Sequence, residues 1–262
     1  MNNLNYFISK KKIDKPLKYL ITIPCVNRLE RNAINVIEKT FEGFENSGLF
    51  NSNIQFTIYL FESGSKDISY LNFIKEKYPN IIIEYSSIPL NGVSNTLKMF
   101  FFLSKLPHNT FDFVLWMDDD IFICKNFIEN ADRWIKNYAN FSIFSSLYVP
   151  YESSIIPNHK NVRLSDIRGF YGTCCTVFKP ELAKFVINNW YNPHFERFNY
   201  NPDTRFRDSV IGKFPMARKI CVSYPSLVDH MNIGSAIKKN KLINKDHKAK
   251  LFIGINNDPN FN

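Results

Sequence analysis

The sequence predicts an α/β fold, one domain with a mostly parallel central sheet flanked by helices. Three observations predict it. Apolar, β-branched runs alternate with segments of helical periodicity through the first half of the chain. Those runs are apolar at successive positions, as strands buried on both faces are. The chain, at 262 residues, is long enough for one large core and too short for two ordinary domains with comfort.

The first strand is predicted at 18–23 (KYLITI), stopping at Pro24. The polar turn CVNRLER then opens a helix at 32–44, where Ala33, Val36, Ile37, Phe41 and Phe44 recur at helical spacing. A second strand at 54–61 runs into the turn cluster Glu62-Ser63-Gly64-Ser65, a helix at 68–77 closes at Tyr78-Pro79, and 81–85 is a third strand. After the loop PLNGVSN a helix at 96–106 leads into the strand 111–117. The second half reads as a strand at 141–149, a loop rich in Ser, Pro and Asn, a strand at 169–178, a helix from Pro180, a helix near 208–214 and a short strand at 219–223. No internal repeat or low-complexity segment interrupts it. In a sheet of this kind ligands belong at the carboxyl ends of the strands.

Composition narrows the class. Hydrophobic residues make up 45% and charged residues 22%, which excludes a wholly disordered chain. The net charge of +9 sits in two arms: residues 1–18 carry five lysines against Asp14, and residues 238–250 carry six against Asp246, so the rest of the chain is neutral. Such arms read either as solvated ends or as contacts to phosphate, in a nucleotide, an acidic lipid headgroup or a nucleic acid. No apolar run approaches the roughly 18 residues that span a bilayer and the N-terminus lacks a signal pattern, so the expected location is cytoplasmic, with peripheral contact at the inner membrane face through the lysines. The five cysteines (Cys25, Cys124, Cys174, Cys175, Cys221) show no C-x-x-C spacing and read as small apolar residues.

The sharpest signal is Phe113-Val114-Leu115-Trp116-Met117-Asp118-Asp119-Asp120-Ile121, an apolar strand running straight into three carboxylates. Partly buried, each would raise the others' pKa unless a cation sits among them. A hard divalent ion, Mn²⁺ or Mg²⁺, resolves this by taking carboxylate oxygens and leaving other positions to water and phosphate. In extended backbone Asp118 and Asp120 share a face and Asp119 points away. The plain alternative is an acidic turn at a strand end.

Here the chain resembles the GT-A fold glycosyltransferases, whose Asp-x-Asp motif follows a strand in this way, and the resemblance spans about residues 19–237. Three further segments stand in that class's order: Arg168-Gly169-Phe170-Tyr171-Gly172-Thr173, similar to a glycine-containing loop near the donor sugar; Phe206-Arg207-Asp208-Ser209, similar to the acidic motif at a helix start that activates the acceptor; and Tyr224-Pro225-Ser226-Leu227-Val228-Asp229-His230, similar to the segment whose histidine completes the metal. Residues 225–235 also resemble the corresponding end of N-acetylglucosaminyltransferases.

The resemblance implies a GT-A type sheet with a smaller acceptor-side sheet, a nucleotide-binding half at about 19–123, an acceptor-side half at about 124–237 and a basic tail at 238–262. It implies metal contacts from Asp118, Asp120 and His230, with Asp229 as a substitute for the histidine. Donor contacts are implied for Pro24, Asn27, Arg28, Glu62, Asn91, Asn95, Asp118, Asp119, Gly169, Gly172 and Lys238, the last with Lys239 or Lys241 closing over phosphate. Asp208 is the implied catalytic base, with Asp203 and Glu196 as alternatives because Arg207 stands where the class shows a second acid. The implied reaction moves a sugar from a nucleotide-diphosphate donor, a UDP-sugar first, to a hydroxyl acceptor on a surface glycan or glycolipid, with inversion. Two alternatives stay open: transfer to hydroxymethylated bases in phage DNA, and a catalytically inactive protein that binds nucleotide sugar or glycan.

Overall fold

The structure is a computed structural model and describes residues 8–9, 11–29, 34–149, 156–157, 162–166, 174–190, 202–214, 219–231, 249 and 251–257. The first half follows the expected alternation. Strand β1 (Lys18–Cys25) leads to helix α1 (Val36–Asn46), β2 (Gln55–Glu62) to helix α2 (Asn72–Lys77), β3 (Ile82–Glu84) to helix α3 (Gly92–Lys105), and then comes β4 (Phe113–Met117). Helix α3 starts where its N-cap dictates: the Asn91 side chain accepts a hydrogen bond from the Ser94 N–H at 2.8 Å, satisfying a donor that the first turn leaves over.

Beyond β4 the chain forms β5 (Ile121–Ile123), helix α4 (Phe127–Tyr138), β6 (Phe144–Ser146), β7 (Ile156–Pro157), β8 (Val162–Asp166), β9 (Cys175–Phe178), helix α5 (Leu182–Asn189), helix α6 (Pro202–Lys213), β10 (Lys219–Ser223) and β11 (Val228–His230). Three of these correct the sequence reading. Helix α4 was not expected, although Phe127, Ile128, Ala131, Trp134 and Ile135 form its buried stripe at helical spacing. The expected strand at 141–149 shrinks to β6, because the Ser146 hydroxyl bonds the Tyr148 backbone at both its N–H (3.2 Å) and its carbonyl (2.8 Å) and turns the chain. Helix α6 begins at Pro202, a residue suited to a first helical turn, so Asp208 lies in mid-helix and not at a helix start.

Nine strands form one sheet in the order β3-β2-β1-β4-β9-β6-β10-β8-β7. Strands β9 and β8 run against their neighbours and the other seven share a direction, which makes the sheet mostly parallel. Strands β5 and β11 pair separately as a small antiparallel sheet, with His230 opposite Ile121.

Alternate residues of each central strand feed two cores. Phe113, Leu115 and Met117 of β4 pack with Tyr19, Ile21 and Ile23 of β1 against α1 and α4, whereas Val114 and Trp116 pack with Leu20 against α3, α5 and α6. All five β4 residues are buried, as a strand covered by helices on both faces requires. Phe206 of α6 sits among the rings of Phe100, Trp116, Phe144 and Phe178. Because β1, β2, β4, β6 and β10 point the same way, their carboxyl ends make a single edge. The reversed strand β9 presents its amino end there.

Candidate active site

The acidic triplet leaves β4 at that edge as a bend, not as extended chain. Thr40 of α1 holds the bend: its hydroxyl donates to the Asp119 carbonyl at 2.8 Å and accepts from the Ile121 N–H at 3.3 Å. On its other side the Asp118 N–H bonds the Cys174 carbonyl at 3.2 Å, and the Met231 N–H bonds the Asp120 carbonyl at 2.8 Å. The Thr40 hydroxyl and the backbone at Cys174 and Met231 therefore fix the turn before any charged side chain is considered.

The bend overturns the expected alternation of the carboxylates. Arg28, just past β1, is buried and spans two of them: one terminal nitrogen pairs with Asp120 at 2.8 Å and the other pairs with Asp119. The second Asp120 oxygen lies 3.2 Å from His230 Nε2. Burial alone would raise the Asp120 carboxyl, but Arg28 and His230 hold it well below the usual carboxylate range. Burial likewise pulls the His230 imidazole down, and the Asp120 charge outweighs it and carries the pKa above its ordinary value. Two of the three charges are thus shared with a guanidinium, and the electrostatic case for a further cation narrows to Asp118.

Asp118 belongs to a different group. Its carboxylate, the Cys174 thiol and the His230 imidazole each offer a ligand atom, all within 4.8 Å of one another, and they form the one such cluster of three metal-ligating side chains among the described residues. A carboxylate oxygen and an imidazole nitrogen suit a divalent ion such as Mn²⁺, so the donor set fits a metal; the thiol adds a softer ligand that Mg²⁺ does not favour. Cys174 was read as a small apolar residue, and no spacing in the sequence links it to Asp118 or His230.

The other expected site residues have local partners, and no contact joins Asp208 to Asp118 or His230 among the described residues. Pro24 is within β1, opposite Phe61. Asn27 accepts from the Leu29 N–H at 2.9 Å and donates to the Asp67 carbonyl at 2.9 Å. Buried Glu62 closes its own turn, accepting from the N–H groups of Gly64 (2.7 Å) and Ser65 (3.0 Å) and from the Tyr70 hydroxyl (3.2 Å). Asn91 caps α3, and Asn95 donates to the Phe61 carbonyl at 2.6 Å, leaving its own carbonyl oxygen buried with no partner among the described residues. Asp229 accepts from the backbone of His230 and Ala249 at 2.9 and 2.6 Å. Asp208 pairs with Arg207 at 2.9 Å, and Asp203 is in the first turn of α6. Gly169, Gly172, Lys238, Lys239, Lys241 and Glu196 lie outside the described residues.

Sequence reading missed Lys98, whose ammonium donates to the carbonyls of Glu84 (2.9 Å) and Glu62 (3.4 Å) at the ends of β3 and β2 and whose pKa burial lowers. Of the N-terminal lysines, Lys15 pairs with Asp112 on the body of the domain. Among the described residues no helix is long and apolar enough to cross a membrane.

Comparison with protein families and with curated proteins returns no match. Among solved structures the chain is similar to a mannosyltransferase, PcManGT from Pyrobaculum calidifontis, solved in complex with GDP-Man and Mn²⁺. The likeness has a TM-score of 0.48 and 11% sequence identity, and it covers 82% of this chain and 59% of that one.

Proposed function

We propose that the chain is a metal-dependent glycosyltransferase, moving a sugar from a nucleotide-diphosphate donor to a hydroxyl of a surface glycan or glycolipid. The observation that carries the proposal is the position of Asp118: at the carboxyl end of β4, at the edge where an α/β sheet of this kind receives ligands, with the His230 imidazole brought beside it by β11. The resemblance of the acidic triplet and its following segments to the GT-A class supports the same reading.

In this proposal Asp118 and His230 hold the ion, and Asp120 serves to orient His230. Bound there, a divalent ion neutralises charge that builds on the departing diphosphate. Arg28 holds both Asp119 and Asp120 in place and, with His230, keeps Asp120 ionised. The turns after β1 and β2, ordered by Asn27 and Glu62 and joined by the bond from the Asn27 N–H to the Ser65 hydroxyl, shape the floor for base and ribose. Asp208 is the proposed base for the acceptor hydroxyl, which makes the displacement in-line and inverting. A UDP-sugar is the first donor to try.

The test is a panel of UDP- and GDP-sugars incubated with folded protein and Mn²⁺, read as released nucleoside diphosphate. Turnover of one donor that Asp118→Asn abolishes and Asp208→Asn leaves intact, with transfer to acceptor lost in the latter, is the expected pattern. Heat of donor binding with no released diphosphate would make the chain a binding protein, and neither binding nor turnover of any donor would end the proposal.

A further inference from the structure

The metal seat contains a residue that a hard-ion reading has no use for. Cys174 immediately precedes β9, is 3% exposed, and its backbone carbonyl is bonded to the Asp118 N–H, so thiol and carboxylate are held side by side. The third donor arrives from the small sheet, where the pairing of β11 with β5 places His230 next to the triplet. Three donors from three separate elements converge within 4.8 Å of one another. An ion with bonds of about 2.0–2.3 Å sets tetrahedral donors roughly 3.3–3.8 Å apart, so binding one would draw these three side chains together.

The surroundings are those of a metal centre. His230 Nε2 faces the Asp120 carboxylate at 3.2 Å, and a carboxylate backing a ligating histidine orients its ring and raises its basicity. Asp120 is itself locked by Arg28. The buried Tyr148 hydroxyl is in hydrogen-bonding contact with Cys174, a donor able to support a thiolate.

We infer that Cys174 is a metal ligand together with Asp118 and His230, and that the site takes a thiophilic transition-metal ion, of the Zn²⁺, Co²⁺ or Fe²⁺ kind, in preference to Mg²⁺. The thiol proton leaves to solvent as the metal–sulfur bond forms, and one coordination position or more remains for water or a phosphate oxygen. This deepens the metal dependence proposed above and rests on it. Soft thiolate ligation discriminates strongly against a hard oxygen-seeking ion, so the selectivity follows from the donor set.

Co²⁺ titrated into metal-free protein tests it. Wild type should develop a thiolate-to-cobalt charge-transfer band in the near ultraviolet, release protons into weak buffer, and lose the band on adding Zn²⁺ but not a large excess of Mg²⁺. Cys174→Ser should bind Co²⁺ without the band, and Asp120→Asn should weaken Co²⁺ binding by about 10- to 100-fold. Co²⁺ bound by wild type with no charge-transfer band would overturn the assignment of Cys174 while leaving a metal on Asp118 and His230 intact. No Co²⁺ binding would overturn both, and the donor panel with Mn²⁺ reports separately on whether sugar transfer survives. The wild-type spectrum decides without any variant having to fold.

Discussion

Replacing Arg28 with methionine removes the charge that lets two carboxylates stay buried. Arg28 is 6% exposed, Asp119 6% and Asp120 4%, so neither acid gains water when the guanidinium is lost. Breaking a buried ion pair by deleting one partner costs about 3–5 kcal/mol. At about 2–4 °C per kcal/mol for a chain of this size, Tm should fall by roughly 6–20 °C. Thermal melting by circular dichroism measures this, with two further variants to separate causes. Lysine at 28 is a point charge that cannot span both acids, so Arg28→Lys should recover only part of the loss. Combining Arg28→Met with Asp119→Asn and Asp120→Asn removes the two acid charges along with the guanidinium and should recover most of it. A Tm for Arg28→Met within about 2 °C of wild type, less than about 1 kcal/mol, would refute the reasoning. Equal losses in the single and triple variants would trace the effect to packing of the arginine stem instead of to charge.

Gly64 has a φ of +80°, and an added Cβ would collide with the Ile88 carbonyl oxygen; Gly64→Ala should therefore lower stability by more than the ~1–2 kcal/mol that a left-handed conformation alone costs, measured by urea denaturation. Phe206→Ala removes a fully buried ring between α6 and the sheet and should cost about 3–5 kcal/mol by the same measurement. Burial pushes the Cys25 thiol up to about 12 and the Cys221 thiol up to about 11, so both should resist iodoacetamide at pH 8 in folded protein and label rapidly in urea. Because these pKa values rise on folding, the stability they contribute is complete below the ordinary thiol value of about 9 and is lost as pH climbs toward 11. Denaturation midpoints at pH 8 and pH 10.5 give the check, and the second should be lower.

The strands that carry the sheet were legible because their apolar runs are unbroken: β10 has the bounds that its sequence predicts, and β1, β2 and β4 differ by a residue or two at their ends. Helix α4 carries a helical signal too, in the spacing of Phe127, Ile128, Ala131, Trp134 and Ile135 directly after the acidic triplet. Strands β5, β7 and β11 were not legible, since two or three residues carry no periodicity. In the candidate site, Arg28 and the triplet could each be named, whereas their pairing joins residues 91 and 92 positions apart and is set by the neighbouring ends of β1 and β4. Glu62 stood out for its place at a strand end, yet the Ser-Gly-Ser after it is what occupies its oxygens. Cys174 gave no signal, because nothing in local sequence places it beside Asp118.

The reversal of β9 has an engineering consequence. A strand laid head-to-tail against β4 delivers to the ligand-receiving rim whatever comes before it in the chain, whereas its co-directional neighbours deliver what comes after them. Grafting or shuffling at this rim must therefore join residues just before 175 with residues just after 117, and a library built only from loops that follow strands would leave the Cys174 side of the rim unsampled.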